Sequence, residues 1–204
     1  MNKIANSLLN CEAIHIKPNE KDYFTWTSGK RSPIYCDNRQ LISFPEHRKM
    51  IVLEFVGYIK KNFNHVDIIA GTATAGIPWA AWIADKLNLN MVYIRSKPKG
   101  HGLKSAIEGK ITEGQSVLII EDLISTGKSS IEAVNHAKDD KLNVLGVLSI
   151  FNYEFKESIE AFKIANTSFH SLCNLDQLIT EANAQNLISA EEVDYVLEWK
   201  KSFS

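Results

Sequence analysis

The sequence predicts an α/β protein with a central, mainly parallel β-sheet covered by helices on both faces. Its apparent strands are short, continuous apolar runs, which are typical of strands buried on both sides of a sheet. Between these runs lie segments whose apolar residues recur at helical spacing. The strands are predicted at 66–70, 91–94, 117–120, 144–151 and 168–172.

Helix signals account for much of the remaining chain. Pro45 opens a helix, because proline is favoured in a first turn, and the apolar residues from Ile51 to Ile59 follow at helical spacing. Ser189 and Glu192 have the spacing of a capping box, which predicts the start of the last helix. Further helices are predicted near residues 4–9, after the turn at 71–76, and over 130–138 and 155–165.

The N-terminal region departs from this alternation. Residues 23–37 are aromatic and β-branched, and turn residues at 28–33 interrupt them, which predicts a hairpin or two short strands. No repeat, low-complexity tract or Pro/Gly/Ser-rich linker divides the sequence. With 204 residues, 45% of them hydrophobic, the chain is expected to form a single domain over 1–204 with a substantial core.

Charge and cysteine content exclude several classes of protein. Lysine plus arginine (23) nearly balance aspartate plus glutamate (24), which argues against general binding to nucleic acid or to a membrane surface. Cys11, Cys36 and Cys173 are far apart and form no C-x-x-C pair, so neither a disulfide framework nor a zinc site is indicated. The N-terminus lacks the apolar stretch of a signal peptide, and no apolar run approaches the roughly 18 residues that span a bilayer. We expect a cytoplasmic protein that binds neither nucleic acid nor membrane.

The segment from Glu121 to Ser129 carries the strongest functional signal. After the apolar run 117–120 come two carboxylates, Glu121 and Asp122, and then Ser-Thr-Gly-Lys-Ser over 125–129 at a predicted helix start. Such a helix start offers backbone N–H groups, hydroxyls and the positive end of a helix dipole, which are the parts of a phosphate site. The acids would repel a bare polyphosphate. They suit a phosphate ligand that has neighbouring hydroxyl groups, as ribose phosphate does, or one that brings a divalent cation.

Two other interpretations of this segment stay open. Gly127-Lys128-Ser129 could end the Walker A loop of a nucleotide kinase, but that motif needs a glycine where Asp122 stands. The Ser/Thr/Gly run could also simply turn the chain and cap a helix. Capping alone would not call for two acids at the strand end.

The run from Ile119 to Gly127 resembles the ribose-phosphate signature of type I phosphoribosyltransferases. That signature consists of two acids at the end of an apolar strand and a small-residue loop that closes in Thr-Gly. The resemblance implies the fold of that family, a mainly parallel sheet flanked by helices with a small N-terminal hood. It says little about which base is used.

A basic segment runs from Arg95 to Lys104. It holds four cationic residues and one histidine, with no acid before Glu108. Its two glycines and its proline disfavour regular structure, so we expect a mobile loop. A mobile cationic loop after a parallel strand suits closure over an anionic leaving group. The alternative is a solvated loop with surface charges, which the position directly after a buried strand disfavours.

Two motifs narrow the resemblance to the orotate phosphoribosyltransferases of pyrimidine synthesis. The pattern Arg95-x-Lys-x-Lys-x-His101-Gly resembles the catalytic loop of that family, and 24–33 resembles its hood over the base, so that about 1–40 forms the hood segment. The resemblance implies transfer of the 5-phosphoribosyl group from 5-phosphoribosyl 1-diphosphate to orotate. It further implies Mg²⁺, bound mainly through the sugar hydroxyls and diphosphate without direct protein ligands. It also implies a homodimer in which the basic loop acts in the neighbouring subunit's site.

The same resemblance assigns roles to individual residues. Lys99, His101 and Asp122 are expected to be catalytic, because the acid favours the cation that develops at C1 and the loop neutralises the diphosphate. Substrate contacts are expected from Arg95, Lys97, Lys99, His101, Glu121, Asp122, Leu123, Ile124, Ser125, Thr126, Gly127, Lys128 and Ser129.

A second loop of small residues follows the strand predicted at 66–70. It reads Thr72-Ala73-Thr74-Ala75-Gly76, and Pro78 lies in the first turn of the next helix. Small residues at a helix start can form an anion site, and in the family the equivalent loop holds the diphosphate. A plain tight turn explains this spacing almost as well.

The chain departs from the pattern of some orotate enzymes around the base. Those enzymes have lysine at the positions of Thr27 and Ser96, Tyr-Lys at Thr74-Ala75, and an arginine just past the fourth strand, where this chain reads Phe151-Asn152-Tyr153. Arg31 or Arg39, or a hydrogen bond from Ser125, is the candidate partner for the orotate carboxylate.

Two rival functions therefore stay open besides the kinase. One is a phosphoribosyltransferase for another base, a purine or uracil. The other is a regulatory protein of the same fold that senses the ribose donor without turning it over. The basic segment counts against the regulator, because a sensor does not need a closure loop.

Overall fold

The computed structural model describes residues 2–17, 20–26, 29–97 and 105–202. The α-helices of these residues are α1 Lys3–Asn10, α2 Pro45–Asn62, α3 Gly76–Leu87, α4 Lys128–Asp139, α5 Lys156–Ile164, α6 Leu175–Ala184 and α7 Ala190–Ser202. The strands are β1 Ile14–Ile16, β2 Phe24–Thr25, β3 Arg31–Ser32, β4 Ile34–Cys36, β5 Ile68–Thr72, β6 Asn90–Ile94, β7 Ile107–Glu108, β8 Ser116–Ile124, β9 Asn143–Asn152 and β10 Phe169–Asn174. Short 3-10 helices lie at Glu20–Asp22 and Asn38–Ser43.

The central sheet has the strand order β10-β9-β8-β5-β6-β7. All of its pairs are parallel except that β7 runs antiparallel to β6. The predicted mainly parallel α/β fold is therefore confirmed, and the five predicted strands are β5, β6, β8, β9 and β10. Strand order reverses between β5 and β8. The crevice at their carboxyl ends is where such sheets bind ligands.

Each face of the sheet supports its own apolar layer. Ile69 and Ile120 pack with residues of α2 and α3 on one face. Ile68 and Ile119 pack with residues of α4 on the other face. Because successive strand residues point to opposite sides and both sides are covered, the strands read as continuous apolar runs.

The predicted helix boundaries are largely confirmed. Pro45 is the first residue of α2. The predicted capping box precedes α7, since Ser189 N donates to Glu192 Oε2 at 2.7 Å and Glu192 N donates to Ser189 Oγ at 3.2 Å. α4 and α5 agree with the predictions at 130–138 and 155–165 to within two residues.

The largest difference from prediction concerns β8, which was expected to end at Ile120. It continues to Ile124 because the neighbouring β9 is equally long, and Leu123 pairs with Phe151 across the ladder. Both acids therefore lie within the strand. β1, β7 and α6 were not predicted, and the two strands are only three and two residues long.

The N-terminal strands form the small hood that was expected. β1 pairs with β4 and β2 pairs with β3, both antiparallel, so the expectation of short strands around a turn is confirmed. The C-terminal helix α7 holds this region in place, because Trp199 Nε1 donates to the Arg31 carbonyl at 3.2 Å. Trp26 packs between Trp199 and Tyr153, with ring centroids 6.1 and 5.1 Å away.

Among the helices of the described ranges, none combines the length and the apolar character that crossing a membrane requires.

Candidate active site

A cavity of about 790 Å³ lies between the hood and the carboxyl end of β8. Its sheet-side lining consists of Ala75, Asp122, Leu123, Ser125, Thr126, Lys128, Ser129, Glu132 and Tyr153. Its hood-side lining consists of Thr25, Trp26, Tyr35, Cys36, Asp37, Asn38 and Arg39. The cavity thus lies at the crevice that the reversal of strand order predicts.

The loop between β8 and α4 forms one end of this cavity. Gly127 has a φ of +81°, in the left-handed region that glycine adopts without steric cost, and it is the N-cap of α4. No side chain caps this helix start. The N–H groups of its first turn and the positive end of its dipole are therefore directed to the edge of the cavity. The predicted residues Ser125, Thr126, Lys128 and Ser129 line the cavity here, and this arrangement is suited to a phosphate group.

The two acids of β8 have different environments. Asp122 lines the cavity, whereas Glu121 is buried beneath the loop. Ser129 and Ser130 donate to Glu121 Oε2 at 3.3 and 3.4 Å, and the Asp122 N–H donates to Glu121 Oε1 at 3.2 Å. Glu121 therefore braces the start of α4, while Asp122 presents its carboxylate to a ligand.

Burial shifts the pKa of both acids in this pair. Burial, followed by the negative charge of Asp122, holds the pKa of Glu121 well above its usual range. The pKa of Asp122 is also raised, mainly by burial, and that rise is opposed first by the hydrogen bond with Glu121 and, more weakly, by the positive charge of Arg39. A ligand that brings hydroxyl donors or a cation would favour the charged form of Asp122.

A buried asparagine joins the hood to the β8 side of the cavity. Asn38 is fully buried, and its Nδ2 donates to the backbone carbonyl of Asp122 at 2.6 Å. The Cys36 thiol donates to Asn38 Oδ1 at 3.0 Å. The polar atoms of the Asn38 side chain are satisfied on both sides, so the position of β8 and that of the hood depend on each other.

The small-residue loop after β5 lies against the same end of β8. Thr72 Oγ1 donates to the Ile120 carbonyl at 3.2 Å, and Ala75 lines the cavity. A Cβ on Gly76 would lie 2.4 Å from the Ile120 carbonyl oxygen, so only glycine allows this approach. Ala73 and Thr74 are joined by a cis peptide bond. The diphosphate role of Thr72 to Gly76 stays a prediction.

The basic segment is described only in part. Arg95 directly follows β6, and its Nη1 donates to Glu108 Oε1 at 3.4 Å. Lys97 is exposed, and the cavity lining within the described ranges includes neither residue. Lys99 and His101 lie outside the described residues. Their predicted roles, and those of Arg95 and Lys97, stay predictions.

Most of the individual residues on the hood side of the cavity were not predicted from sequence. They all fall within the expected hood segment of about 1–40, but the lining residues from Tyr35 to Asn38 lie outside the stretch 24–33 that carries the resemblance. A polar run, Asp-Asn-Arg, directly after the short strand β4 is the local signal that could have drawn attention to them. Ile124, which was predicted to contact substrate, is buried in β8 and is not part of the cavity lining of the described residues.

Comparison with known proteins agrees with this geometry. A model of the phosphoribosyl transferase domain matches residues 47–155. The orotate phosphoribosyltransferase of Malacoplasma penetrans is 46% identical over 203 residues, covering 100% of this chain and 97% of that protein. The orotate phosphoribosyltransferase of Enterococcus faecalis is 50% identical over 199 residues, covering 98% of this chain and 94% of that protein.

Solved structures share the fold. UMP synthase of Leishmania donovani superposes with a TM-score of 0.82 at 26% identity, covering 98% of this chain and 42% of that longer chain. Orotate phosphoribosyltransferase from Aeropyrum pernix superposes with a TM-score of 0.77 at 23% identity, covering 89% of this chain and 98% of that one. The expected type I phosphoribosyltransferase fold is confirmed. The chain belongs to the orotate phosphoribosyltransferase family.

Proposed function

We propose that the protein transfers the 5-phosphoribosyl group from 5-phosphoribosyl 1-diphosphate to a ring nitrogen of orotate, giving orotidine 5′-monophosphate and diphosphate. The observation that carries this proposal is a single cavity that joins Asp122, the uncapped start of α4 and an aromatic hood. The curated relatives from Malacoplasma and Enterococcus, which match this chain over nearly its whole length, carry the name of this activity.

The lining residues divide into three subsites for the donor and the base. The loop at 125–129 would hold the 5-phosphate through N–H groups and hydroxyls at the start of α4. Asp122 would accept hydrogen bonds from the ribose hydroxyls. The pyrimidine ring would lie on the hood side, where Trp26, Tyr35 and Tyr153 provide aromatic surface.

The reaction breaks the bond from C1 to the diphosphate oxygen and forms a bond from C1 to the base nitrogen. Positive charge develops at C1 and negative charge grows on the leaving diphosphate. The Asp122 carboxylate, held near the sugar, favours the developing cation electrostatically. Glu121 contributes indirectly, because it accepts the hydroxyls of Ser129 and Ser130 and so fixes the start of the helix.

The leaving group would be neutralised by the basic segment. Arg95, Lys97, Lys99 and His101 are the candidates, and closure of a cationic loop would also exclude water. The loop from Thr72 to Gly76 would supply N–H groups to the diphosphate from the other side. If Lys99→Ala and His101→Ala both retain near-normal turnover, the leaving-group role of this segment is wrong.

Mg²⁺ prefers hard oxygen ligands such as carboxylates. Asp122 offers a carboxylate at the cavity, whereas both oxygens of Asp37 accept hydrogen bonds from Arg39. We propose that the ion is carried mainly by the oxygens of the donor, with Asp122 as the carboxylate on the ribose side. The ion would supply neutralisation of the diphosphate charge.

Assembly and location complete the proposal. We propose a homodimer in which the basic segment of one subunit reaches the cavity of the other, and one domain over 1–204 with its hood in about 1–40. A cytoplasmic location is supported by the three cysteines, Cys11, Cys36 and Cys173, which are free thiols.

The direct test follows the loss of orotate absorbance when the protein is mixed with donor, Mg²⁺ and orotate. Asp122→Asn should lower kcat/KM at least about tenfold, which corresponds to about 1.4 kcal/mol of transition-state stabilisation. Asp139→Asn removes the same charge from an exposed position at the end of α4 and should leave turnover unchanged. Uracil, adenine and hypoxanthine are assayed in parallel for diphosphate release. Preference for one of those bases would indicate the rival transferase, and donor binding without any turnover would indicate the regulator.

A further inference from the structure

The charged side chains of the cavity are unevenly placed. Within the described residues its lining includes two cations, Lys128 and Arg39. Lys128 is the first residue of α4 and belongs to the phosphate end. Arg39 is the second residue of the 3-10 helix Asn38–Ser43 after β4 and belongs to the hood end, where the base would lie. An anionic group on the base would therefore meet Arg39.

The guanidinium of Arg39 is held by a neighbouring acid. Its Nε donates to Asp37 Oδ1 at 2.5 Å, and its Nη2 donates to Asp37 Oδ2 at 2.9 Å. The same carboxylate accepts the backbone N–H of Arg39 at 3.2 Å, so that Asp37 caps the 3-10 helix as well. This two-point contact fixes the plane of the guanidinium before any ligand arrives.

The Arg39 guanidinium retains N–H donors for a ligand. Nη1 has no partner among the residues that the structure describes, and the side chain is 62% exposed. Nη2 donates its remaining hydrogen to the Tyr35 hydroxyl at 3.4 Å. A carboxylate lying beside Tyr35 can therefore accept hydrogen bonds from Nη1.

Arg39 lines the same cavity as Asp122, the residue proposed to hold the ribose. The positive charge of Arg39 also weakly opposes the rise that burial causes in the pKa of Asp122. A base joined to C1 of a sugar held by Asp122 would extend toward this guanidinium.

The other candidate arginine is already used elsewhere. The Arg31 guanidinium lies over the Tyr23 ring, 5.4 Å from its centroid, and donates to the Glu20 carbonyl. Arg31 is not part of the cavity lining of the described residues. It contributes to the structure of the hood and makes a matched control.

We infer that Arg39 binds the carboxylate of the pyrimidine substrate and that Asp37 is its positioning residue, which together select a base with a carboxylate over the same ring without one. This inference rests on the proposed function and names the residue behind its specificity. Asp37 and Arg39 form a neutral pair without ligand, so an uncharged base gains nothing from them.

Arg39→Ala tests the inference through steady-state kinetics with orotate and with uracil. The KM for orotate should rise about ten- to a hundredfold, the range expected when a hydrogen bond to a charged group is lost. The KM for 5-phosphoribosyl 1-diphosphate should stay within about twofold, and whatever rate is measured with uracil should not fall. Arg39→Lys retains the charge but not the fork and should give an intermediate KM for orotate. Arg31→Ala should leave the KM for orotate near the wild-type value.

The outcomes separate this inference from the function on which it rests. Turnover of orotate by the wild-type protein supports the proposed function alone. If that turnover is present and Arg39→Ala keeps its KM for orotate within about twofold, Arg39 is not the carboxylate partner. An equal rise in Arg31→Ala would also overturn the assignment, because the effect would then come from general disturbance of the hood. Failure of the wild-type protein to use orotate would overturn both.

Discussion

The side-chain amide of Asn38 donates a hydrogen bond to the backbone carbonyl of Asp122 at 2.6 Å, across 84 positions of sequence. One residue belongs to the hood and the other to the central sheet, and both line the cavity. The hood side and the sheet side of the cavity are therefore joined by a buried polar contact. Loss of that contact should affect stability and catalysis together.

Asn38→Ala should lower the free energy of unfolding by about 1–3 kcal/mol, because the Asp122 carbonyl and the Cys36 thiol lose their buried partner. It should also raise the KM for both substrates, because the hydrogen bond that holds the hood against β8 is lost. Chemical denaturation and steady-state kinetics measure the two effects.

Asn62→Ala is the matched control for this change. Asn62 is exposed at the end of α2, and its Nδ2 donates to the Tyr58 carbonyl at 2.8 Å. Its removal should change stability by no more than about 0.5 kcal/mol, as is usual at the surface. If the two variants are equally stable, the link between hood and sheet has no energetic importance.

The acid pair shows how far sequence reasoning reaches at this site. The apolar run 117–120 and the following small residues predicted a segment that the structure places at the cavity, because strand ends and helix starts have local signals. The different environments of Glu121 and Asp122 were not predicted. They depend on β8 continuing to Ile124, which is a consequence of pairing with β9 rather than of local sequence. Alternation along a strand then places neighbouring side chains on opposite sides.

The hood shows what could not be predicted from the sequence. Its contacts join residues distant in sequence, such as Asn38 with Asp122 and Arg31 with Trp199. No periodicity reports such pairs, so the polar run at 37–39 could not show which distant residues Asp37 and Asn38 lie beside. Its positive charge made Arg39 a candidate partner for a carboxylate, but the structure was needed to distinguish it from Arg31.

Gly76→Ala should be strongly unfavourable. The added Cβ would lie 2.4 Å from the Ile120 carbonyl oxygen, so the start of α3 and β8 must separate beside the cavity. We expect a loss of about 1–3 kcal/mol in the free energy of unfolding, the usual cost of overpacking, together with reduced turnover.

Gly57→Ala is the same kind of substitution, and we expect it to have the opposite effect on stability. Gly57 lies within α2, and a Cβ there would meet no atom within 4 Å. Alanine should stabilise the protein by about 0.4–1 kcal/mol, because the unfolded chain loses conformational freedom. The midpoints of thermal and urea unfolding should be lower than wild type for Gly76→Ala and higher than wild type for Gly57→Ala. A shift in the same direction would contradict the close contact at Gly76.

Glu121→Gln should change how stability depends on pH. Burial and Asp122 raise the pKa of Glu121, so the folded protein keeps a proton that the unfolded chain releases above about pH 4.3. This contribution to stability is complete below the unfolded pKa and is lost as pH rises toward the folded pKa. Glutamine stays neutral and can still accept the Asp122 N–H. The variant should therefore gain stability relative to wild type as pH rises.

Urea denaturation between about pH 5 and 8 measures this gain as the difference between the two unfolding free energies. Glu113→Gln, which removes an exposed carboxylate paired with Lys141 at 3.0 Å, controls for the loss of one negative charge. A difference that stays constant or shrinks as pH rises would show that Glu121 is ionised in the folded protein throughout.

Trp199 tests the dependence of the base site on the C-terminal helix. It is 9% exposed, its Nε1 donates to the Arg31 carbonyl, and its ring packs against Trp26. Trp199→Ala should cost about 3–5 kcal/mol of stability, as large aromatic deletions do, and should raise the KM for orotate because Trp26 lines the cavity. Trp199→Phe keeps much of the packing and loses the hydrogen bond, so it should cost about 1 kcal/mol. Denaturation and orotate kinetics are measured on both variants at a temperature where each is folded. An unchanged KM for orotate in folded Trp199→Ala would mean that the hood keeps its position without α7.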